Sequence, residues 1–260
     1  MKRKSIISIS ILSIFLMWSL PVLLAQDKDL LGKVRDNDLD AVEALLDEGA
    51  NVNTEDDFMG YTPLYLAVTG GNPDMVKLLL SKGADINHQD KRTGYTPLML
   101  ALNSYKTEVS ELLIEEGADI FIRGNDGATA LILSGNSSKK IVELLLEKGA
   151  DINDRTERGQ GVFTQCVTGI ISGRVSYELA EYLLSKGAEI DEVNTSEYYK
   201  GYTPLFWAVT DNNLELVNFL VSRGANVNAQ AKEGKTPLSI ATESGYDELA
   251  SFLEANGAKQ

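Results

Sequence analysis

The chain has 260 residues, with 38 Asp plus Glu against 24 Lys plus Arg, for a net charge of −14. Acidity on this scale repels phosphate backbones and anionic lipid, which excludes a nucleic-acid partner. A single cysteine, Cys166, and a single histidine, His88, exclude an internal disulfide and a Cys/His metal pattern.

In chain order, Lys2, Arg3 and Lys4 precede an apolar run from Ile6 to Leu20 that Pro21 breaks. Ala25 then leads into the polar Gln26 and Asp27. This is the order of a secretory signal peptide, so residues 1–25 are expected to be cleaved and the remainder exported, to the periplasm or the medium. Leu23, at −3 to the cut, is larger than the usual small residue. An uncleaved anchor is the alternative, because Ile6 to Ala25 approaches the ~20 residues needed to span a bilayer. Removing the three basic residues takes the net charge to −17. No later run is long enough to cross a membrane.

The stretch Gly60 to Asn87 has the pattern of two short helices. Thr62-Pro63 reads as a cap followed by a first-turn proline. Leu64, Ala67 and Val68 make one apolar stripe, and Gly70-Gly71 ends it. Asn72-Pro73 starts a second helix with the stripe Val76, Leu79 and Leu80, and Gly83 supplies its left-handed stop. Helices this short are unstable alone in water, so the unit needs copies of itself. The Gly-Ala-acid/amide exit recurs at Gly49, Gly83, Gly117, Gly149, Gly187 and Gly224, and a last Gly-Ala stands at Gly257. The successive spacings are 34, 34, 32, 38, 37 and 33. A period near 33 signals stacked repeats.

T-P-L, then L-A, two short helices and G-A-D-x-N resembles the ankyrin repeat, across essentially all of Asp27 to Gln260. The resemblance implies an all-α ankyrin-repeat solenoid of helix-turn-helix units with β-hairpin/turn fingers. The units fall at 27–59 (N-terminal cap), 60–93, 94–126, 127–158, 159–200, 201–233 and 234–260 (C-terminal cap). Lys33, Arg35, Asp36 and Asp38 make the first unit polar, and Thr242, Glu243 and Glu254 do the same for the last, as terminal repeats require. The fourth unit loses a residue around Gly135 to Ser138. The fifth replaces G-Y-T-P-L with Gly159-Gln160-Gly161-Val162-Phe163 and gains about five residues within Ile170 to Ser176. The hairpin after it, Glu189 to Lys200, is also extended. The family usually follows T-P-L with a histidine that ties neighbouring turns. Tyr65, Met99, Ile132, Thr164, Phe206 and Ser239 stand there instead, so cohesion is expected to rest more on apolar packing.

No catalytic set emerges. His88 lies in a turn without a nucleophile beside it and reads as a surface residue. Cys166 shares the register of Ala67, Ala101, Ala208 and Ala241, so a buried, inert thiol is expected. The turn carboxylates form no twelve-residue Ca²⁺ loop, and no glycine-rich phosphate loop is present. Neither cofactor nor metal is expected. In the ankyrin family, partners are gripped by the finger tips and by the first helices on the concave side. Carried onto this sequence, the candidate partner-binding residues are Phe58, Met59, Tyr61, Arg92, Tyr95, Tyr198, Tyr199, Lys200, Tyr202 and Lys235. Tyrosine follows the tip glycine at 61, 95 and 202, where it gives a large, rigid contact. The competing reading is that these rings stiffen the stack. The expectation is a monomeric, non-catalytic protein-binding module, an adaptor or regulator of another exported protein. A secreted effector that binds host proteins, and an enzyme with an unrecognised site, are the alternatives.

Overall fold

The computed structural model describes residues 25–259. The segment read as a signal peptide therefore lies, apart from Ala25, outside the described residues. Among the described residues, fourteen α-helices follow one another. They are α1 (25–35), α2 (Leu39–Asp47), α3 (Pro63–Gly70), α4 (Pro73–Ser81), α5 (Pro97–Asn103), α6 (Thr107–Glu115), α7 (Ala130–Ser134), α8 (Lys139–Glu147), α9 (Val162–Ile171), α10 (Tyr177–Ser185), α11 (Pro204–Thr210), α12 (Leu214–Ser222), α13 (Pro237–Glu243) and α14 (Asp247–Ala255).

The start signals work as the residue types dictate. Thr62, Thr96, Thr129 and Thr236 accept hydrogen bonds from the third amide of α3, α5, α7 and α13, and proline follows three of them. Asn72 and Asn213 cap α4 and α12. The exit glycines, from Gly49 to Gly257, take φ between +88° and +101°, which side-chain-bearing residues rarely adopt. Odd-numbered helices from α3 to α13 pack on one another in one row, and each also packs on the even-numbered helix that follows it. Between them lies a continuous core. Leu64, Leu98, Leu131, Phe163, Leu205 and Leu238 are fully or almost fully buried, and one turn on sit the small Ala67, Ala101, Ser134, Cys166, Ala208 and Ala241. Cys166 is therefore held where a small side chain is needed for close helix packing. Burial, then the nearby Glu192 charge, pushes its thiol up to about 12, so it stays protonated and inert.

One expectation is corrected. No β-strand exists among the described residues, and the fingers are turns rather than β-hairpins. Each finger is closed by a backbone bond across its base, such as Asp56 N to Tyr61 O (3.0 Å) or Asp90 N to Tyr95 O (3.1 Å), and most have a second inside the turn, such as Gly94 N to Asp90 O (3.0 Å). One more backbone bond joins it to the next finger, such as Lys91 N to Met59 O (2.9 Å) or Asn125 N to Thr93 O (2.8 Å). A ladder needs repeated exchange between paired residues. Here the remaining tip amides are taken by a carboxylate instead. Asp56 Oδ1 accepts from the amides of Met59 (2.7 Å) and Gly60 (3.0 Å), leaving nothing for a second strand to bond.

A second tie runs along the helix exits. Asn53 donates to Gly83 O (3.2 Å) and accepts from Asp85 N (2.7 Å). Asn87 accepts from Asp119 N, Asn153 donates to Gly187 O and Asp191 accepts from Asn226 N. Asn228 bonds Gly257 O and Lys259 N. Phe121 occupies the one place in this series without a hydrogen-bonding side chain.

The irregular fifth unit is resolved differently from the sequence expectation. Part of its insertion lengthens α9 to 10 residues, against 7 in α5 and α11, so the turn itself starts only at Ser172.

Candidate functional site

The finger tips and the outward side of the odd-numbered helices meet along one edge of the stack. Leu66, Leu100, Leu133, Gln165 and Trp207 share one helical register there and are all half-buried. A hollow of about 220 Å³ between this stripe and the tips is lined by Tyr95, Ile132, Leu133, Arg158, Gln160 and Gln165, among others. A second, of about 310 Å³, opens between successive tips at Arg92, Thr93, Tyr95, Asn125 and Arg158.

The ten candidate residues fall into three groups. Phe58 (87% exposed), Met59 (39%), Tyr198 (87%) and Tyr199 (46%) present apolar surface to solvent. Arg92, Lys200 and Lys235 are exposed cations, with Lys235 paired to Glu243 at 3.2 Å. The three tyrosines that follow tip glycines are half-buried and turned onto the stack. Tyr61 stacks on Tyr65 (centroids 4.5 Å apart, 8° between planes), and Tyr202 stacks on Phe206 at 4.8 Å. Tyr95 donates its hydroxyl to Asp126 Oδ2 at 3.0 Å, across to the next finger. Burial first, then the Asp126 charge, drives the Tyr95 hydroxyl well above its ordinary range, so it remains a donor. The aromatic row is thus two separate exposed patches, at the first and fifth fingers. Tyr199 belongs to the second, packed against Trp207 (4.8 Å) and Tyr202 (5.4 Å). Trp207 belongs to this patch too, and its mark in the sequence is that it replaces a leucine in the half-buried register.

Ties between units are not purely apolar. At the position where a histidine is usual, the buried Tyr65 hydroxyl donates to Asp90 Oδ2 (3.2 Å), and both the amide and the hydroxyl of Thr164 donate to Glu192. The other four positions are Met99, Ile132, Phe206 and Ser239. His88 is also not a free surface residue, since its Nε2 lies 2.9 Å from Gly60 O. Asp90 itself is buried and accepts from the amides of Arg92 (2.9 Å), Thr93 (2.8 Å) and Tyr95 (3.1 Å). Burial alone would raise its pKa, but the Thr93 hydroxyl and these amides outweigh that and hold the carboxyl below the usual aspartate range.

Asp90→Ala is expected to cost about 2–3 kcal/mol in urea unfolding at neutral pH, because it strands several buried donors. A depressed folded-state pKa stabilises above the unfolded value, near pH ~4, and that contribution is lost as pH falls through the folded value. The gap between wild type and variant should therefore close below about pH 4. A constant gap under acid conditions would show that the carboxylate charge does not hold this finger.

The start of α9 was not anticipated. Gly161 stands where other units carry the capping threonine, and glycine has no side chain with which to cap the helix. Glu192, from the next finger, takes over: its Oε2 accepts from the amides of Gly161 and Thr164, both at 2.9 Å. Its side chain is fully buried, with Arg155 Nη1 at 3.5 Å from Oε1. A Cβ on residue 161 would lie 2.4 Å from both the Arg155 and the Glu192 side chains, so glycine there makes room for the cap.

Among the described residues, no group of three or more His, Cys, Asp or Glu is placed to hold a metal ion, and no helix is long and apolar enough to cross a membrane. The family profile "Ankyrin repeats (3 copies)" matches residues 33–90, 85–156 and 170–260, and the chain belongs to the ankyrin-repeat family. The stretch between the last two matches, 157–169, contains the Glu192-capped helix start. Among curated proteins, the chain is similar to the putative ankyrin repeat protein YahD of Escherichia coli K12, with 37% identity over 73 residues, 26% of this chain and 36% of that protein. It is also similar to protein phosphatase 1 regulatory subunit 27 of Homo sapiens, with 41% identity over 58 residues, 22% of this chain and 38% of that protein. Protein glp-1 of Caenorhabditis elegans is 36% identical over 63 residues, 24% of this chain and 5% of that protein. The chain thus spans well under half the length of these relatives.

Proposed function

We propose that the chain is a seven-unit ankyrin stack, exported behind a signal peptide, that acts by holding another protein rather than by catalysis. Its partner contacts are the finger tips and the half-buried stripe beside them, on what would be the concave side. A general protein–protein interaction role is typical of ankyrin-repeat proteins. The relative named as a phosphatase regulatory subunit supports a regulator over an enzyme. The single observation that carries the reading is the pair of exposed apolar patches on an otherwise acidic surface: Phe58 with Met59, and Tyr198 and Tyr199 beside Trp207. Exposed aromatics of this kind mark interaction sites and cost solubility where they serve no contact.

A Phe58→Ala/Tyr198→Ala variant is expected to keep wild-type stability and lose at least about tenfold in affinity for a partner captured from periplasm or culture medium. The comparison is a quantitative pull-down with the full chain. Unchanged recovery would sink the tip-binding reading. Cell fractionation separates the two export readings: a soluble periplasmic pool fits an adaptor or regulator, and recovery only in the medium fits a secreted effector.

A further inference from the structure

We propose that Asp191 is an acid-strengthened tie. The junction between the fifth and sixth units gains a hydrogen bond when this carboxyl takes up a proton, and lacks it when the carboxyl is ionised. The register of the helix exits carries the inference. The asparagine ties stand four residues after an exit glycine and face the exit of the following unit. Asn53 gives that exit both halves of its amide: it donates to Gly83 O (3.2 Å) and accepts from Asp85 N (2.7 Å). Asn228 does the same with Gly257 O (3.1 Å) and Lys259 N (2.8 Å), and Asn153 donates to Gly187 O at 3.3 Å. Asp191 occupies this place behind the same exit turn, since Gly187 has φ +92° against +93° at Gly149.

An ionised aspartate has acceptors and no donor. Both oxygens of Asp191 accordingly turn to one amide, Asn226 N, at 3.1 and 3.2 Å. The Gly224 carbonyl, which an asparagine would bond, receives no hydrogen bond among the described residues. A protonated carboxyl reproduces the missing amide: one oxygen accepts from Asn226 N and the hydroxyl donates to Gly224 O.

The charges nearby favour that form. Glu189, on the same turn, is paired to Arg155 of the preceding finger at 2.9 Å, and Glu192 is turned away to the start of α9. Lys186, at the end of α10, lies over the Tyr182 ring, and Arg223, at the end of α12, is paired to Glu181. The facing segment, Asn226 to Gln230, carries no charge. Burial raises the Asp191 pKa most, the Asn226 amide works against it and the Glu189 charge adds to the rise, which leaves the carboxyl above the ordinary aspartate range. A pKa raised by folding stabilises below the unfolded value, near pH ~4, and that contribution is lost as pH rises through the folded value. The sign is opposite to that of Asp90.

The test compares the full chain with its Asp191→Asn variant in thermal unfolding at about pH 8 and about pH 4. At the higher pH the variant should have a Tm about 2–4 °C above wild type, the size of one restored hydrogen bond in a chain of this length. At the lower pH the gap should shrink, because wild type then supplies the donor itself. Asn153→Asp should transplant the device to the preceding junction, lowering the Tm more at the higher pH than at the lower. An NMR titration of wild type reads the group directly, and the Asp191 carboxyl carbon should have its midpoint above ~3.9. A midpoint at or below ~3.9, an Asp191→Asn Tm no higher than wild type at about pH 8, or a pH-independent effect of either variant would each overturn the proposal.

Discussion

Glu192→Ala should lower the stability of the stack by about 3–5 kcal/mol, because it removes one partner of a buried ion pair. Among the described residues, the carboxylate is the only acceptor for the Gly161 and Thr164 amides at the start of α9 and for the Thr164 hydroxyl, and Arg155 leans on its other oxygen. Removing it strands the amides of Gly161 and Thr164 and a hydroxyl away from water, and leaves the Arg155 guanidinium with Glu189 and the Asp154 carbonyl. Glu192→Gln keeps an acceptor oxygen and loses only the charge, so about 1–2 kcal/mol is expected. Stability in a repeat stack is close to a sum of units and nearest-neighbour interfaces. The loss should therefore be concentrated in the units on either side of this junction. Urea unfolding measures the total, and hydrogen exchange at the Thr164 and Gly161 amides locates it. A Glu192→Ala protein within about 1 kcal/mol of wild type would mean that α9 caps itself some other way.

The second large effect lies two residues before that cap. Gly159→Ala should cost about 3 kcal/mol, from two sources that can be separated. Gly159 has φ +74°, which charges any side-chain-bearing residue about 1–2 kcal/mol. Its missing Cβ would also fall 2.2 Å from Val193 O in the next finger, and a carbonyl of the main chain cannot step aside as a flexible side chain can. The fingers would have to part, breaking the bond from Thr195 N to Arg158 O (2.9 Å). Gly173→Ala is the control. It has a similar φ of +69°, but nothing lies within 4 Å of the added carbon, so only the backbone cost of about 1–2 kcal/mol applies. Equal losses for the two variants would show that the finger contact at Gly159 contributes nothing.

Much of the fold was legible residue by residue. Thr62-Pro63 and its copies, the leucine one step on, the small residue three further and the exit glycine each act through local geometry or through a fixed helical period. Those constraints are written in the order of residues, so the paired helices, the buried Cys166 and the shared core all follow from them. The fingers did not follow, because whether an extended turn becomes a ladder depends on who takes its amides. Asp56 and Asp90 take them from inside the same finger, and nothing in the spacing distinguishes that from a hairpin. The candidate surface was legible only in part. Position relative to the tip glycine selected Tyr61, Tyr95 and Tyr202 together with Phe58 and Tyr198. Which rings face solvent is decided by what each one meets across the unit boundary: Tyr65, Asp126 or Phe206 for the first three, open solvent for the others.

By itself, the sequence determined the period, the helix starts and stops, the buried face of each helix and the membership of a repeat family, since each rests on contacts within one unit or between identical registers. Tertiary structure decided the capping of α9 by Glu192, the closing of the fingers as turns and the exposure of Phe121. The cap joins residues about thirty positions apart, brought within bonding distance only when one unit is stacked on the next, whereas the fingers close on carboxylates of their own finger, such as Asp56 and Asp90.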